Sequence, residues 1–306
     1  MAYVFGPVPS RRLGLSLGVD LIPAKTCTFD CLYCQVGRTT QKTVQASVFV
    51  PVQEVIDELK KRLEIITPDA VTLSGSGEPT LYSKIDQVIA AIKKITDTKV
   101  AILTNGSLFG QAVVRRRVAG ADIIMPTLTT AFEDTFKTIH RSHPELHLKS
   151  IIEGLKGLRQ MYNGQIFLEV FLLAQINDSQ EELEGLKKVI DEISPDKIQL
   201  NTVVRPPAEQ RAISLDMERL KEIRDFFGEK AEIIAETPLR RRWGQYDTMV
   251  ESILEMARRR PLKASDIATL FNMPLQEAES VIKGLEIKGT LRQQEHLGEM
   301  YYVLGR

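Results

Sequence analysis

The sequence predicts an α/β fold, a partial (β/α)6 barrel with parallel strands, followed by a small C-terminal domain. Three observations support this prediction. Short apolar segments alternate six times with amphipathic helical patterns, which is typical of a parallel sheet covered by helices. Loops with unusual polar residues follow the predicted strands, where parallel α/β folds gather their chemistry. About sixty residues at the end of the chain have a different pattern.

Each strand is predicted from an apolar run, and each helix from apolar residues that recur every three to four positions. The predicted strands span residues 17–23, 69–75, 99–104, 121–127, 165–174 and 197–204, and the helical patterns span residues 51–66, 81–95, 108–119, 132–139, 148–161 and 179–193. Pro51 stands in the first turn of its helix, where proline is tolerated. Six units are fewer than the eight that close a full barrel. An eight-stranded barrel with two unrecognised strands is the alternative.

The C-terminal pattern predicts a winged-helix domain over residues 246–306, joined to the barrel of residues 1–235 by a linker at residues 236–245. Helices are predicted over residues 247–259, 265–271 and 274–288, before a hairpin that turns near Leu297 and Gly298. Residues 239–306 hold eleven Lys and Arg against nine Asp and Glu. This balance favours contact with a protein, or with the chain's own barrel, over contact with nucleic acid.

The composition indicates a protein of the cytoplasm. The 40 basic and 40 acidic side chains cancel, so no net charge draws the chain to nucleic acid or to an anionic membrane. The sequence contains neither the ~18-residue apolar stretch of a membrane span nor the leader of an exported protein. A reducing compartment suits thiolate ligands rather than disulfides.

All three cysteines, Cys27, Cys31 and Cys34, lie within eight positions after the first predicted strand. Thiolates select zinc, copper(I) or an iron–sulfur cluster. A structural zinc takes four ligands, and the sequence places neither a histidine nor a fourth cysteine nearby. A zinc loop completed by a distant ligand is one interpretation. The other is an iron–sulfur cubane whose fourth iron stays open to a small chelating molecule.

The C-x3-C-x2-C spacing, with Tyr33 before the last cysteine, resembles the signature of the radical S-adenosylmethionine (SAM) superfamily. The stretch "GSGEPT" (residues 75–80) is similar to the GGEP stretch of that superfamily, with Ser76 in place of a glycine. "TNG" after the third strand also recurs there. The resemblance covers about residues 18–206, and "FGPVPSRRLGLSLGVDLIP" is similar to a subgroup distantly related to the tRNA wyosine-base synthesis enzymes.

The resemblance implies that Cys27, Cys31 and Cys34 ligate a [4Fe–4S] cluster whose fourth iron chelates SAM. Reductive cleavage of SAM would give a 5′-deoxyadenosyl radical that abstracts hydrogen from an RNA, a protein or a small metabolite. A reductant such as a flavodoxin or ferredoxin is also implied. The implied SAM contacts are Tyr33 at the adenine, Gly75, Ser76 and Gly77 at the methionine moiety, Glu78 at the ammonium group, Asn105 on the rim, and, by location, Thr129, Thr130 and Glu169 at the ribose.

Other charged residues fit either a site or a surface. Arg11, Arg12, Lys25 and Arg205 would suit a carboxylate or phosphate on the substrate, and they fit equally well as surface residues. We expect Glu169 to face solvent or to pair with a lysine rather than to bind ribose. The residues His140, Arg141 and His143 of "TIHRSHP" could lie at the edge of the active site, but we favour their interpretation as ordinary residues of a helix end.

A second class of function is a non-catalytic iron–sulfur regulator that senses oxidation and binds DNA through the winged helix. Separate SAM-type loops on a developed βα core favour the enzyme, because a sensor does not need them. Three cysteines cannot build a second all-cysteine cluster, which disfavours the subfamilies that depend on auxiliary clusters.

Overall fold

The computed structural model describes residues 2–234 and 249–305. The predicted linker at residues 236–245 lies outside these ranges, so it stays a prediction. We call residues 2–234 the sheet region and residues 249–305 the C-terminal segment. In the described ranges the strands, numbered in chain order, are β1 Val4–Ser10, β2 Gly14–Val19, β3 Thr26–Cys27, β4 Gln41–Lys42, β5 Ala70–Leu73, β6 Lys99–Thr104, β7 Ile123–Leu128, β8 Gln165–Phe171, β9 Lys197–Asn201, β10 Ala231–Ile233, β11 Leu291–His296 and β12 Glu299–Leu304.

One sheet organises the sheet region, in the order β1-β2-β5-β6-β7-β8-β9-β10. Neighbouring strands from β2 to β10 are parallel, and β1 is antiparallel to β2. This confirms the predicted α/β class with a largely parallel sheet. The six predicted strands correspond to β2 and to β5 through β9, which are adjacent in the sheet.

The sequence missed the two outer strands. β1 contains Pro7 and Pro9, which lower the strand signal but are tolerated at a sheet edge. β10 is only three residues long. The sheet therefore has eight strands, as in the alternative prediction, but β1 and β10 stand at opposite ends of the strand order. No ladder joins these two strands within residues 2–234, so the sheet is open there.

Helices follow most of the parallel strands and cover the sheet. They are α1 Val52–Leu63, α2 Ile85–Ile95, α3 Ala112–Val118, α4 Glu133–His140, α5 Leu148–Met161, α6 Gln180–Ile193, α7 Met217–Phe227, α8 Met249–Arg259, α9 Ala264–Phe271 and α10 Leu275–Ile287. The sequence predicted each of these except α7, whose N-cap Asp216 accepts a hydrogen bond from the amide of Arg219 at 2.8 Å. All four residues of β5 are buried, as expected for a parallel strand with both faces covered.

The C-terminal segment has three helices and a hairpin in the order that the sequence predicts. Asn272 links α9 to α10 in a left-handed conformation. Leu297 and Gly298 form the turn of the hairpin. Their φ angles are 52° and 72°, and a two-residue turn of type I′ needs positive φ at both positions. The assignment of these elements to the winged-helix class stays a prediction.

Ion pairs join the C-terminal segment to the sheet region. The guanidinium of Arg62 on α1 lies 3.1 Å from the carboxylate of Glu255 on α8. Arg259 Nε lies 3.0 Å from Asp20 Oδ2, just after β2. These contacts are with the chain's own core, one of the alternatives that the sequence favoured over nucleic acid. Across residues 2–234 and 249–305, the structure contains no helix with both the length and the apolar character of a membrane span.

Candidate active site

A cavity of about 280 Å³ opens at the carboxyl ends of the parallel strands, and all three cysteines line it. Cys27 ends β3, while Cys31 and Cys34 lie in the loop that follows it. From the loops after β5 and β6 come Glu78 and Asn105. The structure thus brings together residues from three segments that the sequence identified separately.

The end of α4 holds the cysteine loop through its backbone. The amides of Asp30 and Leu32 donate to the carbonyls of His140 (2.8 Å) and Ile139 (2.9 Å). The amide of His143 donates to the carbonyl of Thr28 at 2.9 Å. The first part of the loop is therefore fixed by residues at and just after the end of α4, more than a hundred positions later in the chain.

The three thiols are unpaired, and their environment suits a positively charged metal group. Burial raises the pKa of Cys27 to about 12, and the nearby Glu78 carboxylate adds to this shift. Burial also raises the pKa of Cys31 and that of Cys34. The thiols are therefore protonated at neutral pH unless a metal displaces the protons. Three soft donors around one cavity fit an iron–sulfur cluster.

His140 contacts a cysteine of the motif, a contact that the sequence did not predict although it left open a place for His140 at the edge of the active site. Its Nδ1 lies 3.1 Å from Cys31 Sγ, and its Nε2 lies 2.8 Å from Thr129 Oγ1. Burial lowers the pKa of His140 to about 3, so the ring is neutral. The interpretation of His140 as an ordinary helix-end residue was wrong, because the fold turns it inward against the loop.

Glycines in "GSGEPT" let the loop after β5 approach the cysteine loop. A Cβ on Gly77 would lie 1.9 Å from the carbonyl oxygen of Thr26. Gly75 has φ of 149°, and a Cβ there would lie 2.2 Å from Asp20 Cγ. Ser76 donates through Oγ to Asp20 Oδ2 at 2.6 Å. Gly77 lines the cavity. Ser76 does not line it, and its hydrogen bond to Asp20 stabilises the loop.

Glu78 joins the loops after β5 and β6. Its carboxylate accepts hydrogen bonds from the amide of Thr80 (3.0 Å), the hydroxyl of Thr104 (2.6 Å) and the amide of Asn105 (2.8 Å). Burial raises the pKa of Glu78, although the hydrogen bonds from Thr104 and Thr80 oppose that shift. Asn105 in turn donates to Thr28 Oγ1 at 2.8 Å and places its amide nitrogen 3.6 Å from Cys27 Sγ.

Tyr33 forms an aromatic wall of the cavity, and two of the residues implied at the ribose, Thr129 and Thr130, lie outside this cavity. The ring of Tyr33 stacks on that of Phe171 with centroids 3.9 Å apart. Thr129 is buried beside His140, and Thr130 donates to Glu182 at 2.5 Å. Neither threonine lines the cavity of the cysteines. Their contact with SAM stays a prediction.

Glu169 lies in the cavity and pairs with Arg12, so the expectation of a solvent-facing or lysine-paired residue was wrong. Its carboxylate also accepts hydrogen bonds from Thr127 (2.7 Å) and Asn201 (2.9 Å). Burial opposes ionisation of Glu169, but the charge of Arg12 and the two hydrogen bonds outweigh it and hold the pKa below its ordinary value. The carboxylate is therefore ionised and fixes strand ends β7, β8 and β9.

Comparison with known proteins assigns this architecture to a class. Residues 21–189 match the family model of the radical SAM superfamily, and the chain belongs to that superfamily. A radical SAM methyltransferase from Sphaerobacter thermophilus shares the fold with a TM-score of 0.55 and 15% identity, over 71% of this chain and 65% of that one. TYW1 with a bound lysine–pyruvate adduct has a TM-score of 0.51 and 15% identity, over 71% of this chain and 74% of that one. The superfamily implies an enzyme that uses SAM and an iron–sulfur cluster.

Within the superfamily, the chain belongs to the UPF0026 family. It is 30% identical to the UPF0026 protein of Methanocaldococcus jannaschii, over 99% of this chain and 96% of that protein. It is 33% identical to the UPF0026 protein of a Synechocystis species, over 69% of this chain and 78% of that protein. It is also 36% identical to a protein of Brachyspira hyodysenteriae named GTPase Obg, over 98% of this chain, but it spans only 45% of that relative.

Proposed function

We propose that Cys27, Cys31 and Cys34 hold a [4Fe–4S] cluster with which this chain cleaves SAM reductively and abstracts hydrogen from a substrate. The observation that carries the proposal is the shared cavity of the three thiols with the loops after β5 and β6. When bound, the cluster would supply the electron for cleavage of SAM, while the protein orients the reactants and excludes water.

The side chains around the cavity have different proposed roles in binding the cluster and SAM. With the cluster bound, Cys31 would be a thiolate that only accepts, so His140 would donate a hydrogen bond to it. The flat wall of Tyr33 and Phe171 suits the adenine ring. Gly77 allows backbone to approach the methionine moiety, with Glu78 and Asn105 on the adjoining rim. Of the other SAM contacts implied by the resemblance, Gly75 and Ser76 hold the loop in place.

The finer architecture is part of the same proposal. We infer a partial barrel of six βα units, with β1 and β10 added at its edges, and a winged-helix domain in the C-terminal segment. Packing of this segment on the sheet region supports a role in contact with the chain's own core or with a protein. A flavodoxin or ferredoxin is the proposed reductant.

The test is anaerobic reconstitution of the full chain, followed by assays of iron, sulfide and 5′-deoxyadenosine in the presence of SAM and dithionite. We expect about four irons and four sulfides per chain, the content of the proposed cluster, and SAM-dependent formation of 5′-deoxyadenosine. Variants C27A, C31A and C34A should each lose this activity. Thr40→Ala is the matched control, because Thr40 lies in the same loop with its side chain exposed.

Two results would contradict the proposal. Zinc in place of iron after anaerobic purification would favour the zinc-loop interpretation. Stoichiometric iron and sulfide without SAM cleavage would instead support the redox-sensing regulator.

A further inference from the structure

A second cavity, of about 290 Å³, lies between the sheet region and the C-terminal segment. The turn between β1 and β2 forms one wall and the end of α8 forms another. The second cavity adjoins the cysteine cavity, since both are lined by Arg11, Arg12, Gln35, Gly77, Leu103 and Arg205. A molecule bound in one cavity can therefore extend into the other.

Arginines dominate this second cavity, and two of them share one carboxylate. Arg205 Nη2 lies 3.0 Å from Asp266 Oδ2, and Arg260 Nη2 lies 4.0 Å from the same oxygen. The Asp266 carboxylate is almost fully buried. One carboxylate cannot neutralise two guanidinium groups, so positive charge remains on the part of the cavity that Arg205 and Arg260 line.

Arg260 has hydrogen-bonding capacity that the described residues leave unused. Its Nε and Nη2 are buried, and neither has a hydrogen-bond partner within residues 2–234 and 249–305. Burial and the charges of Arg205 and Arg11 lower the pKa of Arg260 to about 9. Buried donors without an acceptor are costly and uncommon in folded proteins. An oxyanion in the cavity would supply both the acceptors and the missing charge.

We propose that Arg205 and Arg260, with Arg11 beside them, bind the phosphate group of a small phosphorylated substrate whose body extends into the cysteine cavity. The guanidinium fork matches the spacing of phosphate oxygens. A phosphate offers more charge and more acceptor oxygens than a single carboxylate, which suits converging arginines. The substrate assignment rests on the proposed function, whereas the anion site stands on the geometry of the arginines alone.

The test measures anion binding to the reconstituted full chain by titration calorimetry and thermal shift, at constant ionic strength adjusted with sodium chloride. Inorganic phosphate and pyrophosphate are the probes, and succinate is the dicarboxylate comparison. We expect saturable binding of phosphate and pyrophosphate, both tighter than succinate. Equal or tighter binding of succinate would overturn the assignment to phosphate, and binding of none of the three would overturn the site.

Variants at the end of α8 separate binding from folding. Arg260→Gln should weaken pyrophosphate binding by about tenfold or more, the loss expected for charge-assisted hydrogen bonds. In the same buffer without phosphate, pyrophosphate or succinate it should melt no lower than the native chain, because it removes an uncompensated buried charge. Arg260→Lys should retain part of the affinity. Arg258→Gln is the control, since Arg258 is exposed on the same helix end and should bind pyrophosphate normally.

Some outcomes would assign Arg260 a purely structural role. One is a lower melting temperature of Arg260→Gln in buffer without the three probe anions, together with an unchanged affinity for pyrophosphate. The other is an equal loss of pyrophosphate affinity in the Arg258 and Arg260 variants. A parallel assay of 5′-deoxyadenosine keeps the two proposals distinguishable. Pyrophosphate binding without SAM cleavage would support the anion site and contradict the proposed activity. SAM cleavage without anion binding would support the proposed activity and contradict the anion site.

Discussion

His140 Nδ1 lies 3.1 Å from Cys31 Sγ, while its Nε2 lies 2.8 Å from Thr129 Oγ1. When Cys31 is a thiolate it only accepts, so the proton of the neutral ring must be on Nδ1. Nε2 then accepts from the Thr129 hydroxyl. The thiolate thereby sets the tautomer of the histidine, and the Thr129 hydroxyl, which can donate or accept, adapts to it.

This relationship predicts that His140 raises the reduction potential of a bound cluster. A hydrogen bond to a ligand sulfur stabilises the reduced, more negative state. His140→Ala should lower the midpoint potential by about 40 mV, which corresponds to about 1 kcal/mol for a one-electron couple. A redox titration followed by electron paramagnetic resonance measures the shift. His147→Ala is the control, because the His147 side chain is largely exposed. An unchanged potential at full iron content would contradict the prediction.

Gly77 should not tolerate a side chain. Its Cβ would lie 1.9 Å from the Thr26 carbonyl, a backbone atom that cannot rotate away. We expect Gly77→Ala to lower the free energy of unfolding by roughly 1–3 kcal/mol and to reduce iron retention. Gly284→Ala, in α10 with open space around its Cβ, should instead be neutral or stabilising. Urea unfolding and iron analysis of both variants test this, and equal behaviour of the two would refute it.

Much of the fold could be predicted because its signals are local. The β5 strand is a short apolar run, and α6 is capped by Ser179, whose hydroxyl accepts from the Glu182 amide at 3.3 Å. The position of the strand-end loops at one site could also be predicted, because the loops after parallel strands meet at one edge of the sheet. The cysteine spacing is local as well.

Pairings between distant residues could not be predicted. Arg12 and Glu169 are 157 positions apart, and Cys31 and His140 are 109 apart. No periodic pattern encodes such contacts, because they depend on how the sheet brings its ends together. β1 was missed because its prolines weaken a strand signal, although an edge strand accepts them.

The Arg12–Glu169 pair predicts a pH dependence of stability. The pKa of Glu169 is lowered in the folded chain, so its stabilising contribution is present above the ordinary value of about 4.3. That contribution is lost as pH falls through the lower folded pKa. Glu169→Gln should therefore cost about 3 kcal/mol at pH 7 and progressively less below pH 4.

Thermal unfolding of the native chain and Glu169→Gln between pH 7 and pH 3 provides the measurement. The exposed Glu229 offers a control, since Glu229→Gln should leave the decrease in melting temperature at low pH unchanged. A difference between the native chain and Glu169→Gln that stays constant down to pH 3 would argue against the assignment.

The Arg62–Glu255 pair predicts strong coupling between α1 and α8. Both side chains are largely buried, and burial raises the pKa of Glu255 despite the opposing charge of Arg62. Arg62→Met leaves the buried carboxylate without its ion-pair partner and should cost about 3 kcal/mol. The double variant with Glu255→Met should cost less than this single one. Arg224→Met, in an exposed pair, should change stability by less than about 1 kcal/mol. Urea unfolding followed by circular dichroism is measured for the native chain, Arg62→Met, Glu255→Met, the double variant and Arg224→Met. A loss in the double variant equal to the sum of the losses in its two single variants would exclude the coupling.

The dependence of the cysteine loop on the end of α4 has a consequence for biosynthesis. The amides of Asp30 and Leu32 find their acceptors only at His140 and Ile139. While the ribosome is still translating the first strands, those acceptors do not exist, and the thiols emerge on an unconstrained segment. If this loop holds the proposed cluster, iron and sulfide can enter the loop in its final geometry only after nearly half of the polypeptide has been made.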